Sequence, residues 1–319
     1  MNESTAPRVS ASAPAPAAPA RSRRLTRKAH KTLAGYLFIG PNVLGFLVFV
    51  AFPVVFSLVL TFTQWNPMSG LRGIEFVGLR NFREMWTDDW FLSAFRNNIV
   101  FTVITVPLSM ALGLLVAVAL NNKSYFPKSL RTMFFLPYMS NIVAIAVVWM
   151  MIFNPIRGPL NQFLMSLGIQ NPPRWLASSQ WALPAIMTTV IWHGLGYQMI
   201  IYLAGLQSIP KQLYEAAEID GASPVQEFFR ITVPMLNPTH FFLLITNIIN
   251  SFRVFAQINV MTDGGPGTAT TVLVHYIYRA GFQFYRMGYA AAIAWVLFVV
   301  IFVVTIIQWK TQSRWTEVY

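Results

Sequence analysis

An all-α integral membrane protein with six spanning helices is the fold class this sequence predicts, and three observations predict it. Only 11% of the 319 residues are charged and 55% are hydrophobic. A soluble domain carries roughly 25% charged residues, so this chain lacks the charge to cover a water-facing surface. Six apolar stretches approach or exceed the ~20 residues needed to cross hydrocarbon, and polar segments separate them. The basic residues gather in alternate segments, which is how membrane topology is written. That distribution also accounts for the net charge of +12 without a nucleic-acid partner.

Met1 to Ala20 is rich in Ala, Pro and Ser and cannot bury a core. Arg21 to Lys31 then adds a basic cluster suited to anionic lipid headgroups. We expect a disordered, basic cytoplasmic tail over residues 1–33 and a six-span domain over 34–319. The apolar run that follows the cluster is too long for the core of a signal peptide. Thr32 to Gln64 contains no charge and forms span one. In the loop that follows, Phe76, Leu79, Phe82, Met85, Trp86 and Trp90 recur at helical spacing, as in a helix lying in the membrane interface. Span two is expected from about Asn97 to Leu120, and span three from about Thr132 to Phe153. After a proline-rich loop over 154–180, span four covers about Trp181 to Leu206, and span five covers about Met235 to Val260. Thr262 to Thr268, TDGGPGT, marks a turn-rich loop, and span six runs from about Met287 to Trp309.

Between spans four and five lies a charged loop, 208–234, with explicit helix signals. Pro210 suits a first turn, Gly221 suits a helix end, and Ser223-Pro224-Val225-Gln226 reads as a capping box opening a second helix. Leu213, Ala216, Ala217 and Asp220 share one face. An ordinary connector satisfies this spacing as well as a docking surface does. Six spans put both termini on one side. The segments on that side hold fourteen Lys and Arg, against eight in the alternate loops, so the termini and the 208–234 loop are expected in the cytoplasm.

The missing chemistry is equally informative. No Asp or Glu falls in any expected span, whereas ion-coupled carriers use such groups at membrane depth. No G-x-x-x-x-G-K-[ST] loop and no H-E-x-x-H pair is present. The four histidines are isolated and there is no cysteine. We therefore expect no catalytic residue, cofactor or metal, and any uphill transport must be driven by another subunit. One polar stripe interrupts span five: Asn247, Asn250, Ser251 and Arg253 fall on one broad helical face. Such a stripe must face protein or water, either as a solute path or as interhelical hydrogen bonding. In span four, His193 and Tyr197 share a face, with Gly194 leaving room beside them; a packed pair and a site both fit that spacing.

Glu215-Ala216-Ala217, three residues, Gly221, nine residues, then Ile231-Thr232-Val233-Pro234 resembles the EAA loop of ABC importer permeases, written EAA-x3-G-x9-I-x-L-P. Val233 in place of leucine is the one departure. Val77-Gly78-Leu79-Arg80-Asn81-Phe82 looks like the V-G-L-x-N-F stretch of sugar permeases. Thr262-Asp263-Gly264-Gly265-Pro266 with Tyr276-Ile277-Tyr278 looks like their T-x-G-G-P…Y-x-Y stretch.

The resemblance implies the six-helix bundle of a type I ABC importer permease from the carbohydrate branch, which includes maltose and glycerol-3-phosphate permeases, in a bacterial inner membrane. Its partners would be a second homologous permease, a dimer of cytoplasmic ATPases, an extracytoplasmic solute-binding protein and membrane lipid. Glu215, Ala216, Ala217, Asp220 and Gly221 then match the helix that docks on an ATPase. His193, Gly194, Tyr197, Asn247 and Ser251 match sugar-contacting positions, and Val254 departs from them. The alternatives are a cargo of glycerol-3-phosphate or glycerophosphodiesters, for which Arg253 would suit the anion, and a non-transporting scaffold or channel.

Overall fold

A computed structural model describes residues 22–121 and 128–316, and the chain divides into two units after Phe56. The first unit is helical: α1 (Ser22–Phe46), a π turn (Leu47–Ala51) and the start of α2 (Phe52–Leu60). The first 21 residues of the expected tail lie outside the described residues. From Ser22 onward the basic cluster is helical, in one piece with the apolar run. No proline interrupts Ser22 to Gly40, and a helix once nucleated propagates through Arg, Lys, Leu and Ala at little cost. The π turn ends two residues before Pro53, whose missing N–H leaves the Phe49 carbonyl without its ordinary i+4 donor. Lys31–Leu60 makes a 30-residue apolar helix with 6% of its most apolar window buried, a surface suited to lipid.

In the second unit the end of α2 is followed by a two-stranded antiparallel ribbon, β1 (Thr63–Gln64) and β2 (Glu75–Phe76), in the register Thr63 to Phe76. The buried Asn81 amide donates to the Thr61 and Thr63 carbonyls, both at 2.9 Å, fixing α3 (Arg80–Met85) against the ribbon. The interfacial helix expected over Phe76 to Trp90 is therefore a correction. Phe76 belongs to β2, Gly78 turns the chain at φ +58, and Trp90 belongs to the next helix. That helix, α4 (Asp89–Asn121), starts eight residues before the expected Asn97, because the Asp88 carboxylate caps it by accepting from the Trp90 N–H at 2.9 Å.

The expected third span is two helices, α5 (Lys128–Met139) and α6 (Ile142–Ile152), bent by 98°. Pro137 weakens the end of α5, and Asn141 restarts the helix by accepting from the Val143 N–H at 2.8 Å. After α7 (Pro159–Ser166) comes α8 (Ala182–Ser208), the helix that α4, α5 and α12 pack against. α9 (Lys211–Ile219) and α10 (Pro224–Glu227) follow, then a π turn (Phe228–Thr232) and α11 (Val233–Met235). This second π turn again precedes a proline, Pro234, by the same loss of a donor. Beyond a 65° bend, α12 (Asn237–Phe252) ends at Arg253, and α13 (Ala256–Met261) is separate. The continuous fifth span expected to Val260 is thus broken, with Phe255 at φ −143, ψ −57 outside any helical well. α14 (Leu273–Tyr278), a π turn (Arg279–Gln283) and α15 (Met287–Thr316) complete the described residues.

Among the described residues, Lys31–Leu60, Asp89–Asn121 and Met287–Thr311 are each long and apolar enough to cross a membrane, and the two bent pairs match that character jointly. α8 has the length, at 27 residues and without charge, but carries His193, Tyr197, Gln198 and Tyr202. The α4–α8 and α5–α8 crossings are set by glycine. A Cβ on Gly113 would lie 2.3 Å from the Gln198 Cβ, and one on Gly196 would lie 2.3 Å from the Phe134 carbonyl oxygen. Small residues at a crossing let the backbones approach, the usual means of tight packing between membrane helices.

Candidate functional site

The broken ends of α5 and α12 and the polar middle of α8 surround a cavity of about 670 Å³. All seven positions expected along a solute path line it: His193, Gly194, Tyr197, Asn247, Asn250, Ser251 and Arg253. They come from two helices about fifty residues apart in sequence, which packing against α4 brings to one place. Gly194 opens the wall, because a Cβ there would meet nothing within 4 Å.

Two side chains stand out among those on the wall that the sequence did not single out. Tyr138, at the end of α5, stacks on Tyr197 with centroids 5.1 Å apart and tilts against His193 at 5.8 Å. Gln198 is buried and donates its amide to the Asn247 Oδ1, joining α8 to α12. Gln198 was findable as an uncharged polar residue within an apolar run, five positions beyond His193. Tyr138 carried no such signal, since spacing along a presumed straight helix does not aim it at α8.

The resulting surface combines flat aromatic faces with amide and hydroxyl edges. His193 Nε2, Gln198 Oε1 and Asn247 Nδ2 are buried without a hydrogen-bond partner among the described residues. Among the described residues, Arg253 is the one Lys or Arg on the wall, and no carboxylate lines the cavity. The ion pairs among the described residues, His275–Asp263 and Arg286–Glu84, leave its guanidinium unpaired.

The 208–234 loop forms a second, separate feature. Ile209 and Pro210 are extended, so α9 is not a continuation of α8. Its end closes with Gly221 at φ +76, where the Gly221 N–H reaches the Glu218 carbonyl at 3.1 Å and the Ala222 N–H reaches the Ala217 carbonyl at 2.9 Å. This is a Schellman closure, which a Cβ at Gly221 would strain. The capping box forms as written in the sequence: Gln226 N–H donates to Ser223 Oγ and Ser223 N–H to Gln226 Oε1. Leu213 and Tyr214 pack toward the α4–α8 core, and the Tyr214 hydroxyl shares a hydrogen bond with Thr232 Oγ1 at 2.9 Å. Glu215, Ala216, Asp220 and Gly221 are exposed, and Ala217 is half-buried. Beside them Ile219 is 87% exposed, an apolar side chain that the sequence pattern did not mark.

A third cluster ties the start of α4 to α14 and α15. Asp88 Oδ2 accepts from the hydroxyls of Tyr276 and Tyr289, and burial with the neighbouring carboxylate pushes the Tyr276 hydroxyl well above the usual phenol range. His275 Nε2 meets Asp263 Oδ1 at 3.1 Å, yet burial holds the imidazole below its ordinary value.

With this geometry in hand, the comparisons with known proteins are specific. Residues 109–315 match the family described as "Binding-protein-dependent transport system inner membrane component". The chain is 34% identical to the lactose transport system permease protein of Rhizobium radiobacter, over 91% of this chain and 97% of that one. It is 33% identical to the sn-glycerol-3-phosphate transport system permease protein of Yersinia enterocolitica, over 88% and 94%. In the crystal structure of a bacterial alginate ABC transporter in complex with its alginate pentasaccharide-bound periplasmic protein, one chain superimposes with a TM-score of 0.78. The two share 26% identity, covering 92% of this chain and 99% of that one. The chain belongs to the binding-protein-dependent transport system inner membrane components, the permease subunits of ABC importers.

Proposed function

We propose that this permease passes a carbohydrate, delivered by an extracytoplasmic solute-binding protein, through the cavity between α4, α5, α8 and α12. The observation that carries this reading is the grouping of Tyr138, His193 and Tyr197 with the amides of Gln198, Asn247 and Asn250 on one wall. Aromatic faces suit the apolar face of a pyranose, and amides suit its hydroxyls. The volume lies within the usual range of small-molecule sites, roughly 300–1,000 Å³. Relatives named for lactose, arabinooligosaccharide and glycerol-3-phosphate transport support the same cargo class.

The subunit itself hydrolyses nothing, and a dimer of cytoplasmic ATPases drives it together with a second, homologous permease. α9 is the surface that receives the ATPase: Glu215 and Asp220 offer charge to basic groups of a cleft, Ala216 and Ala217 allow close approach, and exposed Ile219 offers an apolar anchor. Six crossings follow if α8 joins the three straight spans and the two bent pairs, with both termini in the cytoplasm of a bacterial cell.

Uptake by membrane vesicles containing the complete transporter tests this reading. Glu215→Lys should abolish ATP-dependent uptake of the sugar retained by the cognate binding protein, with the permease still in the membrane. Uptake that needs no ATP and is unchanged by Glu215→Lys would identify a passive channel or scaffold instead.

Arg253 favours a second reading of the cargo. An unpaired guanidinium on a wall without carboxylates suits a sugar bearing a carboxylate or phosphate. Competition between glucuronate-containing and neutral oligosaccharides for the cognate binding protein separates the two: preference for the neutral compounds removes the anionic reading.

A further inference from the structure

We infer that Asn98, on α4 and outside the cavity, is the positioning residue that sets the cargo-facing end of α12 and ties it to the 268–273 segment. The inference rests on reading the cavity as the cargo path.

The side chain of Asn98 is fully buried, and both ends of its amide serve helix termini. The Nδ2 group donates to the Ser251 carbonyl at 3.3 Å. Ser251 is the penultimate residue of α12, so its carbonyl is among the last four that a helix leaves without an internal donor. The Oδ1 atom accepts from the Leu273 N–H at 3.1 Å. Leu273 is the first residue of α14, and its N–H is among the four donors that a helix start leaves free. One amide thus closes the end of one helix and the beginning of another. Neither helix supplies a substitute: Val272 makes no side-chain cap to α14, and beyond α12 the chain turns out of helical geometry.

The neighbours of Asn98 strengthen the same junction. Asn97 Nδ2 donates to the Thr268 and Thr271 carbonyls at 2.8 and 2.9 Å. Thr102, one turn further along α4, pairs with Ser251 Oγ at 2.8 Å. One face of α4 therefore holds the last turn of α12 and the segment leading from TDGGPGT into α14. Asn250, Ser251 and Arg253 on the cavity wall stand on that last turn. Their placement is consequently set from outside the cavity, and the Asn98 amide is the side chain that hydrogen-bonds both the end of α12 and the start of α14.

The chain has no cysteine, so single reporters test this directly in membranes containing the complete transporter. Asn250→Cys reports on the end of α12, and Ser166→Cys, exposed on α7, controls for general loosening. The probe is a water-soluble methanethiosulfonate carrying a trimethylammonium group. Asn98→Leu removes both hydrogen bonds, and Asn98→Asp keeps the acceptor for Leu273 while losing the donor to Ser251. Both variants should raise the labelling rate at Asn250→Cys about fivefold, the population shift expected from one lost buried hydrogen bond. Ser166→Cys should be unaffected. A parent rate in the Asn98→Asp background, or an equal change at Ser166→Cys, would overturn the inference. No labelling of Asn250→Cys in any background would instead overturn the reading of the cavity as a water-reachable path.

Discussion

The ring of Tyr138 lies 5.1 Å from that of Tyr197, their planes inclined by only 24°. Their hydroxyl-bearing edges belong to different helices, α5 and α8. This pair forms the aromatic side of the cavity wall, and Tyr138 stands on the last turn of α5, just before the 98° bend.

If the pair holds cargo, Tyr138→Ala removes an aromatic interaction worth about 1 kcal/mol. Uptake should show KM raised about fivefold with a smaller change in maximal rate, and Tyr138→Phe should lie close to the parent. Equal effects from Ala and Phe would show that the ring does not contact the solute.

Tyr214 links the exposed α9 to the body of the protein through Thr232. Tyr214→Phe and Thr232→Val should each loosen α9 by about 1 kcal/mol, the net contribution of one partly buried hydrogen bond. Because both remove the same bond, the double variant should be no worse than either single one. The measurement is cargo moved per ATP hydrolysed in the reconstituted transporter. A ratio unaltered by all three variants would remove α9 anchoring from the coupling mechanism.

Gly194 and Gly196 sit two residues apart on α8 with opposite surroundings. A Cβ at Gly196 would press on the backbone of Phe134 and Phe135, at 2.3 and 2.7 Å, where nothing flexible can yield. Gly196→Ala should therefore destabilise the detergent-solubilised protein by about 1–3 kcal/mol. Gly194→Ala should be tolerated in a thermal unfolding measurement, since its Cβ enters open space. A reversed order of stability would contradict the α5–α8 packing.

His275 is fully buried with its pKa lowered chiefly by desolvation, and the contact with Asp263 only partly offsets that. A folded-state value below the unfolded one, near 6.5, means that the unfolded chain binds the proton more readily. The stability of the 262–275 segment should be complete above that value and fall as pH drops through the lower, folded one. Hydrogen-exchange protection in this segment, corrected for the intrinsic pH dependence of amide exchange, should fall between neutral and mildly acidic pH, and His275→Gln should flatten the dependence. An acid response that is unchanged in His275→Gln would place the sensitivity elsewhere.

Much of this molecule was legible without coordinates. Charge depletion established a membrane protein, because an aqueous surface cannot be built from 11% charged residues. Local chemistry foretold the Gly221 helix end and the Ser223–Gln226 capping box, since both depend on residues within one turn of each other. Periodicity likewise grouped His193 with Tyr197, and Asn247 with Asn250 and Ser251, because each group lies on one helix.

What escaped were the breaks and the partnerships across helices. Hydropathy counts apolar residues without registering direction, so the 98° bend after Pro137 and the interruption at Arg253 both read as continuous spans. Tyr138 meeting Tyr197 depends on how closely α5 and α8 approach at Gly196, while Gln198 meeting Asn247 and Asn98 joining α12 to α14 depend on α12 packing against α8 and α4. By itself the sequence determined the class of protein, the helix signals of the charged loop and the polar residues of each span. Only the tertiary structure decided which of those residues share a cavity and what holds them there, because side chains far apart in sequence meet only where packed backbones bring them.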